Sequence, residues 1–304
     1  MVLIQDLIKY LKKDLNFHEK DILLTDDIKF TKLKSINSDL NSTKGDVSWI
    51  SERVFKLNQS RIDNFRGSVL FVPASYDLQK KRNFSIIRCS NPKYIFNLIS
   101  NKFFVSTEDI FIKKNISNQL KKYKNTFIGQ GSVIGQNVSL KKNIIIGNNT
   151  VINNCIIGKN VKIGSNCTIG NLGFGFSKNE KEEFIRFPHV GMVIIKDNVE
   201  IDNNVCIDRG SLEDTLIYEG VKIDNQVHIS HNVKVGKNTI ICVGSVISGS
   251  VFIGEDCWIS PRTVILNQIK IGNKVLIGIG SVVLNDVEPN RSVFGNPARI
   301  IPTK

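Results

Sequence analysis

Long apolar runs are absent from this chain. Its apolar stretches are short, as in Ile144-Ile145-Ile146 and Val193-Ile194-Ile195, whereas a bilayer crossing needs about 20 such residues. The opening Met1-Val2-Leu3-Ile4-Gln5-Asp6 lacks a basic stretch followed by an apolar one and a cleavage site, so a secreted precursor is not expected. These absences predict a cytoplasmic protein without stable membrane insertion. Cysteine is scattered at positions 89, 155, 167, 206, 242 and 257, with no Cys-x-x-Cys pair. That excludes a zinc ribbon or dithiol site and leaves small buried hydrophobes as the expectation. No His-Glu-x-x-His and no phosphate-binding Gly-x-x-x-x-Gly-Lys run occurs, and Gly173-Phe174-Gly175-Phe176 is too short for a dinucleotide fingerprint. No bound metal and no permanently bound cofactor are expected.

Positive charge is abundant, at +13 over 304 residues. A nucleic-acid reader would concentrate it in a patch interleaved with aromatics. Here the lysines fall in turns, where they shield strand edges, so no nucleic-acid partner is expected. Solvated surface is the ordinary account, and a small anionic ligand such as a nucleotide or coenzyme A is the sharper one.

The dominant pattern is a period of six. From Ile223 the aliphatic positions are Ile229, Val235, Ile241, Ile247, Ile253, Ile259, Ile265, Ile271, Ile277 and Val283. An α-helix repeats at 3.6 and cannot produce this series. Earlier tracts carry the same period: Ile128 to Ile152, then Ile157 to Ile169 after a one-residue slip, then Ile195 to Ile207. Hexapeptide self-similarity predicts a parallel β-helix, three repeats to a triangular coil. Two breaks interrupt it: an excursion over 171–191, and a shorter one over 208–216 that delays the next aliphatic position from Ile207 to Ile217. Loops on a solenoid commonly carry function.

Residues 1–105 show no such register and read as a small α/β domain. A helix is expected over Leu3–Leu15, strands at Ser68–Val72 and Phe84–Arg88, and a helix opening at Pro92. The β-helix is expected over 106–285, with a tail over 286–304. The fold class is therefore mainly β: a left-handed parallel β-helix of hexapeptide repeats behind a small N-terminal α/β domain.

Of the four histidines, His231 follows an interior aliphatic position by two. Its ring belongs at a corner, as a solvated surface group or as a base. One full coil of three hexapeptides further along stands Gly249. It is either a corner glycine or a bare amide able to hold an oxyanion. A base and an oxyanion donor on adjacent coils suit acyl transfer from a thioester. Phe174 and Phe176 read equally as an apolar wall for a ligand or as aromatics docked on the coil. Trp49 suits base stacking, though a core role is more usual.

Several runs resemble the UDP-3-O-(3-hydroxyacyl)glucosamine N-acyltransferase family of the lipid A pathway. They are Gly173-Phe174-Gly175-Phe176, Val199-Glu200-Ile201, Ile207-Asp208-Arg209-Gly210, Asp214-Thr215, and Asp224-Asn225-Gln226-Val227 continuing through His228 to Val233. Lys44 to Trp49 and Cys89-Ser90-Asn91-Pro92 resemble that family's uridine-binding domain. The resemblance implies a homotrimer with sites between neighbouring β-helices, His231 as general base and the Gly249 amide as oxyanion donor. It also implies Asp224 orienting the base, and Trp49 with Phe55 at the nucleotide. Three departures stand out. His228 replaces a common Gln, Gln268 replaces a second active-site His, and Gly295-Asn296-Pro297-Ala298-Arg299 resembles the ending of acyl-coenzyme A-dependent sugar acetyltransferases. His228, Gln268, Phe174, Phe176 and Arg299 are thus candidates for substrate or donor contacts. The departures favour N-acylation of a nucleotide-linked dideoxy amino sugar for a surface polysaccharide, with acyl-CoA as donor. The alternatives are the lipid A enzyme using acyl carrier protein, and a non-catalytic scaffold that binds sugar nucleotides.

Overall fold

A computed structural model of the chain describes residues 2–25, 32–58, 60–78, 82–105, 112, 114–116 and 125–301. Residues 106–111, where the β-helix is expected to begin, and 302–304, the end of the tail, lie outside the described residues. The chain divides into two compact units, Met1–Thr107 with Gly175–Pro188, and Glu108–Phe174 with His189–Lys304. No helix among the described residues is long and apolar enough to cross a membrane.

The first unit is built on a five-stranded sheet in the order Ile22–Leu23, Ser85–Cys89, Val69–Pro73, Asp46–Trp49, Ser35–Ile36. Val69–Pro73 is buried along its whole length, as an unbroken apolar run in a central strand must be. Helices cover Ile4–Asp14 and Pro92–Phe103. The second starts where expected: Pro92 sits in its first turn and Asn91 Oδ1 accepts from the Tyr94 N–H at 3.1 Å. The excursion is not a plain loop. Its middle forms an antiparallel hairpin, Phe176–Lys178 with Phe184–Arg186. Asn97, fully buried in the helix, donates to the Ser177 hydroxyl at 2.6 Å. Phe187 packs on Phe96 at 6.0 Å between centroids.

The second unit is the β-helix. Among the described residues its three faces hold ten, eight and seven strands. Ile229 pairs with Ile247 and Ile247 with Ile265, so one coil is three hexapeptides, as the period predicts. The earlier slip is a coil one residue short, in which Leu140 pairs with Ile157 and Ile152 with Ile169. The aliphatic series from Ile223 to Val283 is buried throughout, Ile229, Ile247 and Ile265 all at 0% exposure. The smaller residues two places earlier in this run are buried too, and the polar ones among them, Thr239, Ser245, Thr263 and Ser281, are satisfied. Thr239 Oγ1, for example, donates to the Gly254 carbonyl at 2.8 Å and accepts from the Cys257 N–H at 3.1 Å. Corners turn through left-handed backbone, which Asn tolerates best. Asn125, Asn143, Asn160 and Asn198, at φ of 56–61°, link their amides in a ladder of 2.8–3.1 Å bonds.

Two expectations need correction. Five cysteines are buried, but Cys206 points outward from its strand and is exposed. The tail does not leave the coil. Ser292–Phe294 pairs in parallel with Leu276–Ile277, placing buried Val293 beside Ile277, and Arg299–Ile301 folds back antiparallel on it. An open coil end would expose its interior column, so a terminal strand pair serves as the cap.

Candidate active site

His231 stands at the corner that follows strand His228–Ile229, half-buried. Both breaks in the six-residue register arrive there. Ile207 pairs with Ile229, whereas Ile229 pairs with Ile247, so the first of these coils carries a short insertion that the next lacks. That insertion folds onto Asn232, the residue after His231. The Ser211 N–H and hydroxyl both donate to Asn232 Oδ1, at 3.1 and 2.8 Å. Asn232 Nδ2 donates to the Glu213 carbonyl at 2.9 Å, and its N–H donates to the Thr215 hydroxyl at 2.9 Å. The excursion returns on the other side of the insertion. Val190 N–H donates to the Ser211 carbonyl at 2.6 Å, and the buried Arg209 guanidinium donates to the carbonyls of Gly191 and Val190 at 2.6 and 2.8 Å.

This network sets the imidazole. His231 Nδ1 lies 2.9 Å from Asn232 Oδ1. The Asn232 amide has one orientation that suits its partners, since its NH2 faces a carbonyl and its oxygen receives two Ser211 donors. An amide oxygen cannot donate, so Nδ1 carries the proton and the neutral ring keeps its lone pair on Nε2. That lone pair is what a general base requires.

Nε2 faces the next coil. A Cβ built on Gly249 would sit 2.8 Å from His231 Cε1 and 2.9 Å from Nε2. The Cε1–Nε2 edge therefore rests on the glycine. Ser250 N–H donates to the His231 carbonyl at 2.9 Å and Gln268 N–H to the Gly249 carbonyl at 3.0 Å. The Gly249 N–H takes no rung of this ladder among the described residues. Base and amide thus stand on adjacent coils, as the hexapeptide arithmetic predicts.

Sequence reasoning missed two residues here. His189, where the excursion rejoins the coil, is 3% exposed and packs its ring edge-to-face on His231 at 5.3 Å and 75°. Nothing periodic marks it. Asp208 was read only as part of a matching run, yet its Oδ2 lies 3.7 Å from His228 Nε2, beyond hydrogen-bond range. Burial pushes the Asp208 carboxyl up to about 6 from its ordinary 3.8 and lowers His228. A carboxyl raised by folding favours the fold below its unfolded value and loses that contribution as pH rises through about 6. Asp208→Asn should therefore raise Tm at pH 8, by at most ~3 kcal/mol of stability, and change it little at pH 4. Thermal unfolding at the two pH values checks this; an unchanged Tm at pH 8 refutes burial as the cause.

No family model matches the chain. A Hahella chejuensis protein named UDP-3-O-acylglucosamine N-acyltransferase is 51% identical over 92 residues, 30% of this chain and 26% of its own length. A Delftia acidovorans protein of the same name is 46% identical over 96 residues, 31% of this chain and 28% of its own. The chain thus matches about a quarter of the length of these curated relatives. A solved UDP-N-acetylglucosamine acyltransferase aligns with 58% of this chain and 69% of that one, at a TM-score of 0.50 and 22% identity. Its counterpart from Campylobacter jejuni aligns with 59% and 71%, at 0.50 and 21%. The chain has the β-helix fold of these acyltransferases.

Within that fold, the remaining expected site residues fall into separate places. Asp224 is not beside His231 in this chain. Its carboxylate accepts from Asn225 N–H and Nδ2 at 2.7 and 2.8 Å and from Val243 N–H at 3.0 Å, at the preceding corner. A full face of strand separates successive corners, so Asn232 takes the orienting contact that Asp224 was expected to make. Gln268 is exposed at φ 65°, in the column of Asn232 and Ser250. Phe174 is 83% exposed, whereas Phe176 meets Phe184 at 6.3 Å and Arg186 at 4.8 Å inside the hairpin. Trp49 packs on Phe96 at 6.5 Å, while Phe55 meets Tyr76 at 5.8 Å beside the Ile50, Leu70, Val72 and Ile86 cluster. Trp49 pairs with Phe71, and Leu70 and Val72 on either side of Phe71 face the other way, so Trp49 and the cluster that Phe55 joins lie on opposite sheet faces. A cavity of about 390 Å³ in the first unit is lined by His18, Asp21, Arg88, Ser90 and Tyr94, with neither ring on its wall. Arg299 is exposed, its guanidinium 3.3 Å from the Ala298 carbonyl.

Proposed function

We propose that this protein is an N-acyltransferase that moves an acyl group from a thioester donor to the amine of a UDP-linked 3-O-acylglucosamine. The observation that carries the reading is the stack of His231 Nε2 on Gly249, at a corner where both register breaks meet. The shared name of the curated relatives favours this acceptor over the dideoxy amino sugar that the departures suggested.

In this reading the amine attacks the thioester carbonyl and His231 Nε2 takes a proton from the nitrogen. The Gly249 N–H holds the developing oxyanion. Attack forms the C–N bond, collapse restores the C=O and breaks C–S, and the imidazolium returns its proton to the leaving thiolate. Asn232 accepts from Nδ1–H throughout, which favours the imidazolium at the moment it forms. Trp49 is assigned to the nucleotide base; the Phe55 contact, on the opposite sheet face, is not retained. His228, with Asp208, and Gln268 and Phe174 are assigned to acceptor or donor contacts. Exposed Phe252, Trp258 and Leu276 on the coil faces suit burial against further copies, consistent with a homotrimer.

The test is product formation from UDP-3-O-acylglucosamine and from nucleotide-linked dideoxy amino sugars, each with acyl carrier protein and coenzyme A thioesters. Turnover of the first acceptor is expected, and the preferred thioester identifies the donor. Acylation of the dideoxy sugars alone restores the surface-polysaccharide reading. Absence of product from every pair overturns catalysis and leaves a sugar-nucleotide-binding scaffold.

A further inference from the structure

The excursion leaves the β-helix after strand Thr168–Asn171 and rejoins it at His189. Its two ends close on one side chain. At the exit, a Cβ on Gly173 would lie 2.9 Å from His231 Cβ, 3.0 Å from His231 Cδ2 and 2.9 Å from His189 Nε2. At the return, the His189 ring packs edge-to-face on His231 at 5.3 Å, itself 3% exposed. His231 is thus held on three sides. Asn232 takes Nδ1, Gly249 supports the Cε1–Nε2 edge, and Gly173 with His189 closes the Cδ2 side.

The Nδ1 contact alone does not define the ring. One hydrogen bond plus the Cβ attachment still permits swinging about the line that joins them, which carries Nε2 off Gly249. A second ring packed against the first removes that freedom, and a glycine at 173 is what lets the chain pass close enough. We propose that His189 is a positioning residue for the His231 base, and that Gly173 and His189 together make the excursion's anchor points part of the acyltransferase site. This rests on His231 acting as the base. Positioning here needs the aromatic shape of residue 189 and not its nitrogens, because the contact is ring against ring.

The test uses the full-length protein and two readouts. In turnover of UDP-3-O-acylglucosamine, His189→Ala should lower kcat by about 10- to 100-fold with little change in KM, and His189→Phe should recover most of it. In a His231→Ala background, His189→Ala should produce no further loss. The second readout needs no activity. With ¹⁵N-labelled histidine, the His231 ring should show one Nδ1–H tautomer in the parent protein, and exchange broadening in His189→Ala but not in His189→Phe. Should His189→Ala unfold the coil, Gly173→Ala serves in its place, since its Cβ would crowd both the His189 and His231 side chains, disturb their packing and broaden the same signals. Equal kcat and unchanged ring signals in His189→Ala overturn the proposal, as does an alanine defect that persists in the His231→Ala background. An inactive parent protein whose ring signals still broaden in the variant overturns the assigned reaction and upholds the positioning role.

Discussion

His231→Ala is expected to lower kcat about a thousandfold while leaving the fold intact. General base catalysis contributes roughly 10² to 10⁴, and the geometry supports an effect in the middle of that range. Its proton sits on Nδ1 against Asn232, so Nε2 is committed as acceptor, and it stands against Gly249, where the reacting carbonyl must be held. Stability should change little. The ring is half-buried at a corner and contributes nothing to the aliphatic column of Ile229 and Ile247. Steady-state kinetics and thermal unfolding on the same preparation check both halves. A turnover within a few-fold of the parent protein removes His231 as the base, and would point to substrate ionisation without help from the protein.

Gly249→Ala is the second large effect, and its value lies in the contrast between activity and stability. The added methyl carbon falls 2.8 Å from His231 Cε1 and 2.9 Å from Nε2, closer than packed carbons approach. One of them must move. Gly249 is not among the positive-φ positions, so alanine meets no backbone strain there. The ring is the mobile partner, and turning it aside displaces the base from the oxyanion donor. An activity loss of about 100-fold with Tm nearly unchanged is the expected outcome. An unchanged kcat would show that the His231 ring does not work from its place against Gly249.

The fold was legible because its information is local and repeated. Each aliphatic residue from Ile223 to Val283 restates the same instruction, and the stacking of each on the third one after it follows from three repeats per coil. His231 beside Gly249 could be read for the same reason: both lie in the regular part of the coil, where a difference in number is a position in space. Asp224 shows where that arithmetic ends. Its motif lies shortly before His231 in the chain, but the intervening strand puts the two on successive corners. Trp49 and Phe55 separate for a related reason: Trp49 ends a strand, Phe55 lies in the helix that follows it, and that helix packs on the other face of the sheet.

From residue order alone came the coil, its period, the α/β character of the first unit, and one imidazole set over one glycine. The folded chain alone decided what surrounds that imidazole. The insertion at Arg209–Asp214 and the return at His189 break the repeat, so no periodicity relates them to His231. They reach it through Ser211, Asn232 and an edge-to-face ring, contacts between residues far apart in the chain. A repeat propagates its own geometry from each residue to the next. A break in it can be placed only once the segments on either side have been packed.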